Sequence, residues 1–424
     1  MLIRPGRKLR VGVIFGSRSV EHEVSIISAI QAMDAMDPRR YEVVPIFIAK
    51  DGRWYTGPEL RRVQAYQDTA APIARSSPVF LRPEPGRRLY VEEQGRFGLR
   101  KIRALPLDCV FPIVHGTFGE DGTLQGLFEL ADIPYVGAGV VGSAVGMDKI
   151  IMKAAFRAAG LSVVRYTWLT RSRWERERVA VLDEVERDLR YPLYVKPANL
   201  GSSVGITTAH DRTGLGEALE VAASYDRRLL VEEGVVGVRE INCSVLGDDA
   251  DATPSVCEEP LRWTDVLSYE DKYIQGSKAA DAAGRGMASA KRRIPAEISA
   301  EQSAEIQRLA VEAFRAVDCA GVARIDFLLD EPNGRVFVNE INTLPGSLSF
   351  YLWEPSGLPF PALIDRLIEL ARARHRDRRR TTYAIDSKLI QQFGRGGVKG
   401  KMGAGPVPAH AGPGDGGRHE GTCG

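Results

Sequence analysis

Apolar and polar segments alternate along the first part of the chain and predict its secondary structure. RVGVIF and EVVPIFIA predict buried strands, and SIISAIQAMDAM between them predicts an amphipathic helix. DCVFPIVHG predicts a further strand, and residues 83–107 predict an excursion or a hairpin. Strands that alternate with helices in this way are typical of a small parallel sheet, which collects ligands at the carboxyl ends of its strands.

The pattern changes after this first unit. GMDKIIMKAAFRAAGL predicts a helix that ends at Gly160, and YPLYVKPANLGSSVGITTA predicts a strand, a glycine-rich loop and a second strand. RLLVEEGV predicts another strand, and SAEQSAEIQRLAVEAFRAV predicts a long helix. Residues 393–424 are rich in Gly and Pro and hold few core-forming residues, so we expect a disordered tail.

Composition excludes several classes of protein. A length of 424 residues suits two or three domains, and 44% hydrophobic with 26% charged residues is typical of a globular protein. A net charge of +2 gives no reason to expect nucleic acid or membrane partners, and no window approaches the length of a membrane span. The basic run at 371–380 predicts a solvated helix end. Five scattered cysteines predict reduced thiols and a cytoplasmic protein.

The segment RIDFLLDEPNGRVFVNEIN predicts two strands around a turn. With Pro332-Asn333-Gly334 as the loop, Glu331 would pair with Arg335, and Asp326 would lie opposite Glu340. Directly opposed side chains lie about 4.5–5.5 Å apart at Cβ, where like charges destabilise a sheet. This register therefore needs something that offsets the repulsion between the Asp326 and Glu340 carboxylates.

Two further side chains belong to the same face of this hairpin. Asn342 lies two positions after Glu340, and Arg324 would lie opposite Asn342. A divalent cation such as Mg²⁺ would remove the repulsion, since it takes carboxylate and amide oxygens and keeps waters for substrate phosphates. A half-exposed hairpin with solvated acids explains the same residues equally well.

Two lysines lie where they could meet phosphate. Lys196 leaves a strand just before the loop ANLGSSVG, whose backbone N–H groups and hydroxyls suit phosphate oxygens. A plain flexible loop is an equally good interpretation. Lys149 lies near a helix start, where a cation opposes the helix dipole unless an anion compensates.

Several acids allow both a structural and a functional interpretation. Glu232, Glu233 and Glu240 could be exposed strand-end acids or the rim of a nucleotide site. Glu21, at the entry to the first helix, could cap that helix or bind a substrate ammonium. The stretch from SYEDKY to GMASA predicts a long mobile loop of the size that forms lids.

Taken together, these motifs resemble a known family. VEHEVS, HGTFGEDGTLQG, MDK, VKPANLGSSVG, YEDKY, RIDFLL and NEINTLPG occur in the order found in D-alanine–D-alanine ligases, members of the ATP-grasp superfamily, and span residues 10 to about 355. The resemblance implies a three-domain α/β ATP-grasp fold with an N-terminal parallel-sheet domain and ATP between the second and third domains. We place the domains at 1–137, 138–232 and 233–382, with the tail at 383–424.

The resemblance also implies which residues bind ATP and the metal ions. ATP would be bound by residues of the central segment, namely Lys149, Lys196, Ser203, Glu232, Glu233 and Glu240. Two Mg²⁺ (or Mn²⁺) ions would be held by Asp326, Glu340 and Asn342. Such metals bridging phosphates are what in-line phosphoryl transfer needs.

The implied reaction joins two D-alanine molecules for peptidoglycan precursor synthesis. A D-alanine carboxylate attacks the γ-phosphate of ATP, and the amine of a second D-alanine then displaces phosphate from the acyl phosphate. Charge stabilisation matters more here than a covalent nucleophile. The catalytic residues implied are Glu21, Ser202, Tyr273, Arg324 and Gly346, and those binding substrate are His115, Lys272 and Ser347.

Other interpretations stay open at the level of sequence. The acceptor could be D-serine or D-lactate, or the chain could be a nucleotide-binding paralogue that does not ligate. Tyr273 favours an amine acceptor, because related depsipeptide-forming ligases usually have a His in that loop. The family also suggests a homodimer.

The chain departs from the family pattern in four places. The first loop is GSRSVE, the segment before Glu240 is one residue longer than usual, and SLSFYLWEPSGL follows NTLPG. Ser347 and Ser349 are both candidates for the serine that contacts the second carboxylate. The fourth departure is the tail, because the family normally ends near residue 380.

Overall fold

Within the described residues, three β-sheets follow one another along the chain. The structure is a computed structural model that describes residues 7–67, 71–94, 99–201, 204–261, 292–385 and 390. The described residues up to Arg378 form one compact unit, and the few described residues after it do not belong to that unit. The predicted domain boundaries stay a prediction, and the predicted tail lies outside the described residues except for 383–385 and 390.

The first sheet contains the small parallel unit predicted from the alternation of strands and helices, and antiparallel strands extend it. Its order is β6-β5-β4-β3-β2-β1-β7, and β1 pairs in parallel with β2 and β7 while the other pairs are antiparallel. The predicted hairpin is the pair β5–β6. The strands are β1 (Leu9–Gly16), β2 (Tyr41–Ile48), β3 (Trp54–Thr56), β4 (Ser77–Leu81), β5 (Arg88–Gln94), β6 (Arg100–Pro106) and β7 (Cys109–Ile113).

The helices described in this part of the chain are α1 (His22–Ala35), α2 (Ala71–Ala74), α3 (Thr123–Leu130) and α4 (Val140–Met147). Short 3₁₀ helices lie at Pro58–Arg61 and Val63–Gln67. Helix α1 is buried on most of its surface rather than on one face alone. It packs between β1 and the turn at Gly346–Ser349, so only a narrow stripe reaches solvent.

The second sheet is antiparallel, with order β10-β9-β11-β8. Its strands are β8 (Tyr166–Thr170), β9 (Leu193–Pro197), β10 (Thr207–Ala209) and β11 (Arg228–Glu233). Its helices are α5 (Lys149–Ala158), α6 (Arg171–Arg176), α7 (Arg178–Asp188) and α8 (Arg212–Tyr225). Apolar side chains of α7 and α8 form one core with β9 and β11.

The third sheet is also antiparallel, with order β14-β13-β12-β15-β16. Its strands are β12 (Arg239–Gly247), β13 (Ala252–Pro260), β14 (Arg292–Arg293), β15 (Gly321–Asp330) and β16 (Arg335–Asn342). Helix α9 (Ala300–Ala316) begins with a capping box between Ser299 and Gln302. Helices α10 (Phe350–Trp353) and α11 (Phe360–Arg378) follow the third sheet.

Helix α11 returns to the first sheet. Leu363, Ile364 and Leu367 belong to the same apolar core as Val11 and Phe111. The hydroxyl of Tyr41 donates to Asp365 at 2.6 Å, and a guanidinium N–H of Arg374 donates to the carbonyl of Gly137 at 2.7 Å. The last helix of this unit therefore completes the core of the first sheet.

The solvated helix end predicted at 371–380 is only partly correct. Arg376 is exposed as expected, but His375 is buried and hydrogen-bonds Asp132 at 2.8 Å. Arg374 binds Gly137 and lies over the Tyr135 ring, with its guanidinium carbon 4.7 Å from the ring centroid. The basic run is therefore partly used to dock α11. Among the described residues, no helix has the length and apolar character that crossing a bilayer requires.

Candidate active site

The hairpin β15–β16 brings together the residues that raised the question of a metal. Asp326 lies directly opposite Glu340, and Arg324 lies directly opposite Asn342, as predicted. The predicted register is wrong next to the turn, where Asp330 and not Glu331 pairs with Arg335.

A β-bulge within β16 shifts the pairing with β15 by one residue. Phe327 pairs with Val338 on one side of it and Asp326 with Glu340 on the other, so Asn339 is the extra residue. The carbonyl of Asn339 accepts a hydrogen bond from the Lys153 ammonium at 3.2 Å. The bulge lies directly beside the predicted metal ligand Glu340.

Arg324 and Asn342 both bind the carboxylate of Asp326. Arg324 donates to the two oxygens at 2.6 and 2.7 Å, and the Asn342 amide donates at 3.1 Å. Desolvation would lower the pKa of Arg324, but the Asp326 carboxylate outweighs it and raises that pKa above its usual value. Arg324 is therefore a permanent cation at this end of the hairpin.

The donor set fits a divalent cation that shares its ligands with substrate. Asp326, Glu340 and Asn342 offer two carboxylates and one amide, which are hard oxygen ligands of the kind that Mg²⁺ takes. In the described part of the chain, no three His, Cys, Asp or Glu side chains cluster closely enough to hold a metal alone. Phosphate oxygens and water would have to complete the coordination.

Three lysines surround the buried Glu232: Lys149 and Lys153 are buried, and Lys196 is half-buried. Glu232 on β11 contacts Lys196 of β9 through one oxygen and lies 2.7 Å from the ammonium of Lys153 through the other. Burial would raise the pKa of Glu232, but the two lysines lower it to about 2. Lys149 donates to the carbonyl of Leu200 at 2.7 Å, in the loop that follows β9.

The anion that offsets the helix dipole at Lys149 is Asp148, its neighbour in sequence. Asp148 caps helix α5 by accepting from the N–H groups of Ile150 and Ile151 at 3.2 and 3.1 Å. Its other oxygen contacts Arg228. Burial lowers the pKa of Lys149, and Lys196 adds to that effect. An anionic ligand would therefore be favoured beside these lysines.

Glu21 does not cap helix α1, because its side chain makes no capping hydrogen bond. Its carboxylate instead lies between two glycines of other segments. A Cβ atom added at Gly201 would be 2.5 Å from one carboxylate oxygen of Glu21, and one added at Gly116 would be 2.8 Å away. Both positions need glycine for Glu21 to occupy this place.

His115 and Glu120 hold the backbone of Leu344 from two sides. The His115 ring hydrogen-bonds the carbonyl of Leu344 at 2.9 Å and the hydroxyl of Ser28 at 3.2 Å. Glu120 accepts from the N–H groups of Leu344 and Gly116, both at 2.8 Å. Burial, reinforced by Glu21, raises the pKa of Glu120 to about 8.

The turn after Leu344 has an unusual backbone. Ser347, Leu348 and Ser349 have φ values of 50°, 54° and 50°, in the left-handed region that residues with side chains rarely adopt. The N–H of Ser347 donates to Ser28 at 3.1 Å. The hydroxyls of Ser347 and Ser349 are buried and have no hydrogen-bond partner within the described residues.

A cavity of about 90 Å³ joins these segments. Of the predicted site residues, those that line it are Glu21, His115, Lys149, Arg324, Glu340, Asn342 and Gly346. Asp326 is hydrogen-bonded to two of these residues, Arg324 and Asn342. Lys196 interacts electrostatically with a third, Glu340. Ser347 lies next to the cavity but does not line it.

The remaining predicted residues lie elsewhere or cannot be described. Glu233 accepts from the N–H of Arg190 at 3.3 Å, at the end of β11. Glu240 lies on β12 opposite Leu328. The predicted residues outside the described part of the chain are Ser202, Ser203, Lys272 and Tyr273.

Sequence reasoning missed three charged residues at or beside the site: Lys153 and Glu258, which are buried, and Glu120, which lines the cavity. Glu258 ends a row across four strands in which it lies opposite Asn242, Asn242 opposite Asp326, and Asp326 opposite Glu340. The signal for Lys153 was its spacing of four from Lys149, which puts both on one helix face. Glu120 was visible inside HGTFGEDG, but nothing in sequence indicated its partner 224 positions away.

Comparison with known proteins gives a consistent result. Models of the D-ala D-ala ligase N-terminus and C-terminus match residues 10–138 and 155–369. A D-alanine–D-alanine ligase of Solibacter usitatus is 43% identical over 89% of this chain and 99% of its own length. One of Heliobacterium modesticaldum is 44% identical over 88% of this chain and 97% of its own length.

Solved structures agree with these relatives. The D-alanine–D-alanine ligase of Coxiella burnetii has a TM-score of 0.70 and 34% identity, and covers 92% of this chain and 98% of its own. A D-Ala:D-Ser ligase of Enterococcus faecalis has a TM-score of 0.71 and 32% identity, and covers 86% of this chain and 100% of its own. With matching models for both ends and relatives of this identity over nearly their whole length, the chain belongs to the D-alanine–D-alanine ligase family.

Proposed function

We propose that this protein joins two D-alanine molecules to D-alanyl-D-alanine, consuming ATP and giving ADP and phosphate, for peptidoglycan precursor synthesis. The observation that carries the proposal is the convergence of Glu21, Lys149, Arg324 and Glu340 on one cavity. Those four side chains offer an ammonium ligand, a phosphate ligand, an oxyanion ligand and a metal ligand in one place. The curated relatives named above support the choice of D-alanine as both donor and acceptor.

ATP would bind with its phosphates toward Lys149 and Lys196. Burial of these lysines beside Glu232 strengthens their attraction for an anion, because the surrounding dielectric is low. Glu232, Glu233 and Glu240 would accept from the adenine amine and the ribose hydroxyls, and Ser203 would contact a phosphate. The finer assignment of these residues follows from the family resemblance.

Two Mg²⁺ or Mn²⁺ ions would be held by Asp326, Glu340 and Asn342. When bound, the metal neutralises charge on the phosphates and keeps them aligned with the attacking oxygen. Asp326 is oriented for this by Arg324 and Asn342, which fix the rotation of its carboxylate.

The first half of the reaction needs a carboxylate oxygen to approach the γ-phosphorus. Glu21 would bind the ammonium of the first D-alanine, and His115 would hold the adjoining backbone in place through Leu344. The carboxylate of that substrate attacks the γ-phosphorus, the bond to the β-phosphate oxygen breaks, and ADP leaves. Positioning supplies most of the rate enhancement in such a transfer.

The second half needs an oxyanion to be stabilised. The neutral amine of the second D-alanine attacks the carbonyl carbon of the acyl phosphate, and Arg324 with the N–H of Gly346 would bind the oxygen on which charge develops. The bond from this carbon to the phosphate oxygen then breaks, phosphate leaves, and the nitrogen gives up a proton as the amide forms. Lys272 and Ser347 would bind the second carboxylate. Ser202 and Tyr273 would hydrogen-bond with Glu21 and close the loop against water, which otherwise hydrolyses the acyl phosphate.

The test is phosphate release from Mg-ATP with D-alanine as the only amino acid, with the product mass determined. We expect phosphate together with the mass of a D-alanine dimer. D-Serine and D-lactate in separate reactions test the acceptor, and omitting D-alanine controls for plain ATP hydrolysis. Release only with D-serine or D-lactate would overturn the acceptor, and no release with any of the three would overturn the ligase.

We also propose a cytoplasmic homodimer. The dimer rests on the family resemblance alone, and sedimentation of the purified protein measures it directly. The four cysteines in the described residues are free, buried thiols, which suits a reducing compartment.

A further inference from the structure

Lys153 is a buried lysine that the reaction outlined above does not use. It lies on α5 one turn after Lys149, and only 1% of its surface is exposed. Its ammonium lies 2.7 Å from an oxygen of Glu232 and donates to the carbonyl of Asn339 at 3.2 Å. A buried ammonium is costly unless it is paired and hydrogen-bonded, and these two contacts meet that need.

The contact with Asn339 lies at the bulge, and the bulge decides which way Glu340 points. Without the extra residue, the pairing of Phe327 with Val338 would continue with Asp326 opposite Asn339 and Ile325 opposite Glu340. Successive side chains of a strand point to opposite faces, so Glu340 would then lie on the face away from Asp326. The bulge is what puts both carboxylates on one face.

The contact with Glu232 lies on the nucleotide side. Glu232 binds Lys153 with one oxygen and Lys196 with the other. Lys153 therefore fixes the rotation of this carboxylate, and through it the place of the Lys196 ammonium. Lys153 of α5 therefore contacts both β11, through Glu232, and β16, through Asn339.

We propose that Lys153 is a positioning residue that fixes the metal-binding face of the hairpin relative to the nucleotide-binding lysine. It acts through Asn339 on the direction of Glu340 and through Glu232 on Lys196. The proposal rests on the proposed function, since it assumes that Glu340 holds a divalent metal and that Lys196 meets ATP.

The test compares the wild-type protein with Lys153→Met, which keeps the length of the side chain but removes its charge and its donors. Binding of the non-hydrolysable analogue AMP-PNP is measured by calorimetry at several Mn²⁺ concentrations and in EDTA. We expect the Mn²⁺ concentration that gives half-maximal binding to rise about tenfold or more, as when outer-shell support of a metal ligand is lost. In turnover, excess Mn²⁺ should restore phosphate release, while the KM for D-alanine changes less than twofold.

Two controls separate this role from a general loss of structure. Lys50→Met removes a lysine that pairs with Glu23 at the surface, 2.6 Å away, and should leave the Mn²⁺ requirement unchanged. If Lys153→Met does not fold, Lys153→Gln keeps a neutral donor and should still raise the Mn²⁺ requirement.

Three results would overturn the proposal. One is an unchanged Mn²⁺ requirement in a folded Lys153 variant. Another is a loss of phosphate release in the variant that excess Mn²⁺ does not restore. A third is an increase in the KM for D-alanine as large as the increase in the Mn²⁺ requirement. A wild-type protein that binds AMP-PNP with Mn²⁺ but joins no D-alanine would instead contradict the proposed function, and the binding comparison would still decide the role of Lys153.

Discussion

Arg324 and Asp326, two residues apart on strand β15, bind each other through two parallel hydrogen bonds of 2.6 and 2.7 Å. Only a guanidinium presents two donors in this fixed geometry, and lysine would keep the charge but lose the fork. The pair therefore makes one side chain responsible both for orienting Asp326, a proposed metal ligand, and for facing the cavity.

Arg324→Lys should lower kcat by about 100-fold or more, the loss typical of removing an oxyanion donor. Steady-state phosphate release measures it. Arg335→Lys is the control, because Arg335 at the other end of the hairpin donates from two guanidinium nitrogens to a single oxygen of Asp330, at 3.0 and 2.7 Å. Equal losses in the two variants would contradict a special role for Arg324.

Glu340→Gln should abolish turnover and leave the fold intact, because the amide keeps the shape of the side chain but offers a weaker ligand to a cation. Phosphate release and the circular dichroism spectrum measure the two effects. Glu331→Gln, in the turn of the same hairpin, should be active. Near-normal turnover in Glu340→Gln would remove this residue from the metal site.

Gly201→Ala should raise the KM for the first D-alanine, because its Cβ would lie 2.5 Å from the Glu21 carboxylate and displace it. The KM for ATP should change less. Gly126→Ala is the matched control, since no atom lies within 4 Å of its Cβ in helix α3. There the substitution should stabilise the protein by about 0.5–1 kcal/mol. An unchanged KM for D-alanine in Gly201→Ala would place the substrate ammonium away from Glu21.

Glu120 should make the protein less stable as the pH rises. Its pKa is raised to about 8 in the folded state, mainly by burial, from an ordinary value of 4.5. Between those two pH values the folded state binds more protons than the unfolded state, so the free energy of unfolding falls with increasing pH.

The test compares how steeply the free energy of unfolding falls with pH in the wild-type protein and in Glu120→Gln. Urea unfolding at pH 5, 6, 7 and 8 should give a smaller decrease in the variant, since it has lost the titrating group. Glu305→Gln changes an exposed glutamate of α9 and should leave the slope as in the wild type. Parallel slopes for wild type and Glu120→Gln would mean that Glu120 is already ionised at pH 5.

The hairpin β15–β16 shows which strand pairs could be predicted from the sequence and which could not. It predicted the pairs of Asp326 with Glu340 and of Arg324 with Asn342, although it began one residue out of register at the turn. A bulge at Asn339 offset that error, and nothing in the local sequence predicts a bulge. The extra residue instead meets a distant part of the chain, because its carbonyl accepts a hydrogen bond from Lys153 on another element.

Other features were beyond sequence reasoning for the same reason. The strands, the helices and the lysines beside the loop follow from periodicity and capping, which act over a few residues. The placement of Glu120 against Leu344, and of Glu258 at the end of a four-strand row, depends on elements that meet only in the folded chain. Local patterns found the residues of the hairpin, whereas the packing of distant segments decided which buried charges support them.

The return of helix α11 to the first sheet has a consequence for the synthesis of the protein. The ribosome completes β1, β2 and β7 long before it makes residues 360–378, whose apolar face covers that sheet. Until then Val11 and Phe111 lack part of their core, and a nascent chain with such a surface is prone to aggregation. We therefore expect chains that stall between residues 342 and 360 to be recognised by chaperones and proteases, even though the strands of all three sheets have already been made.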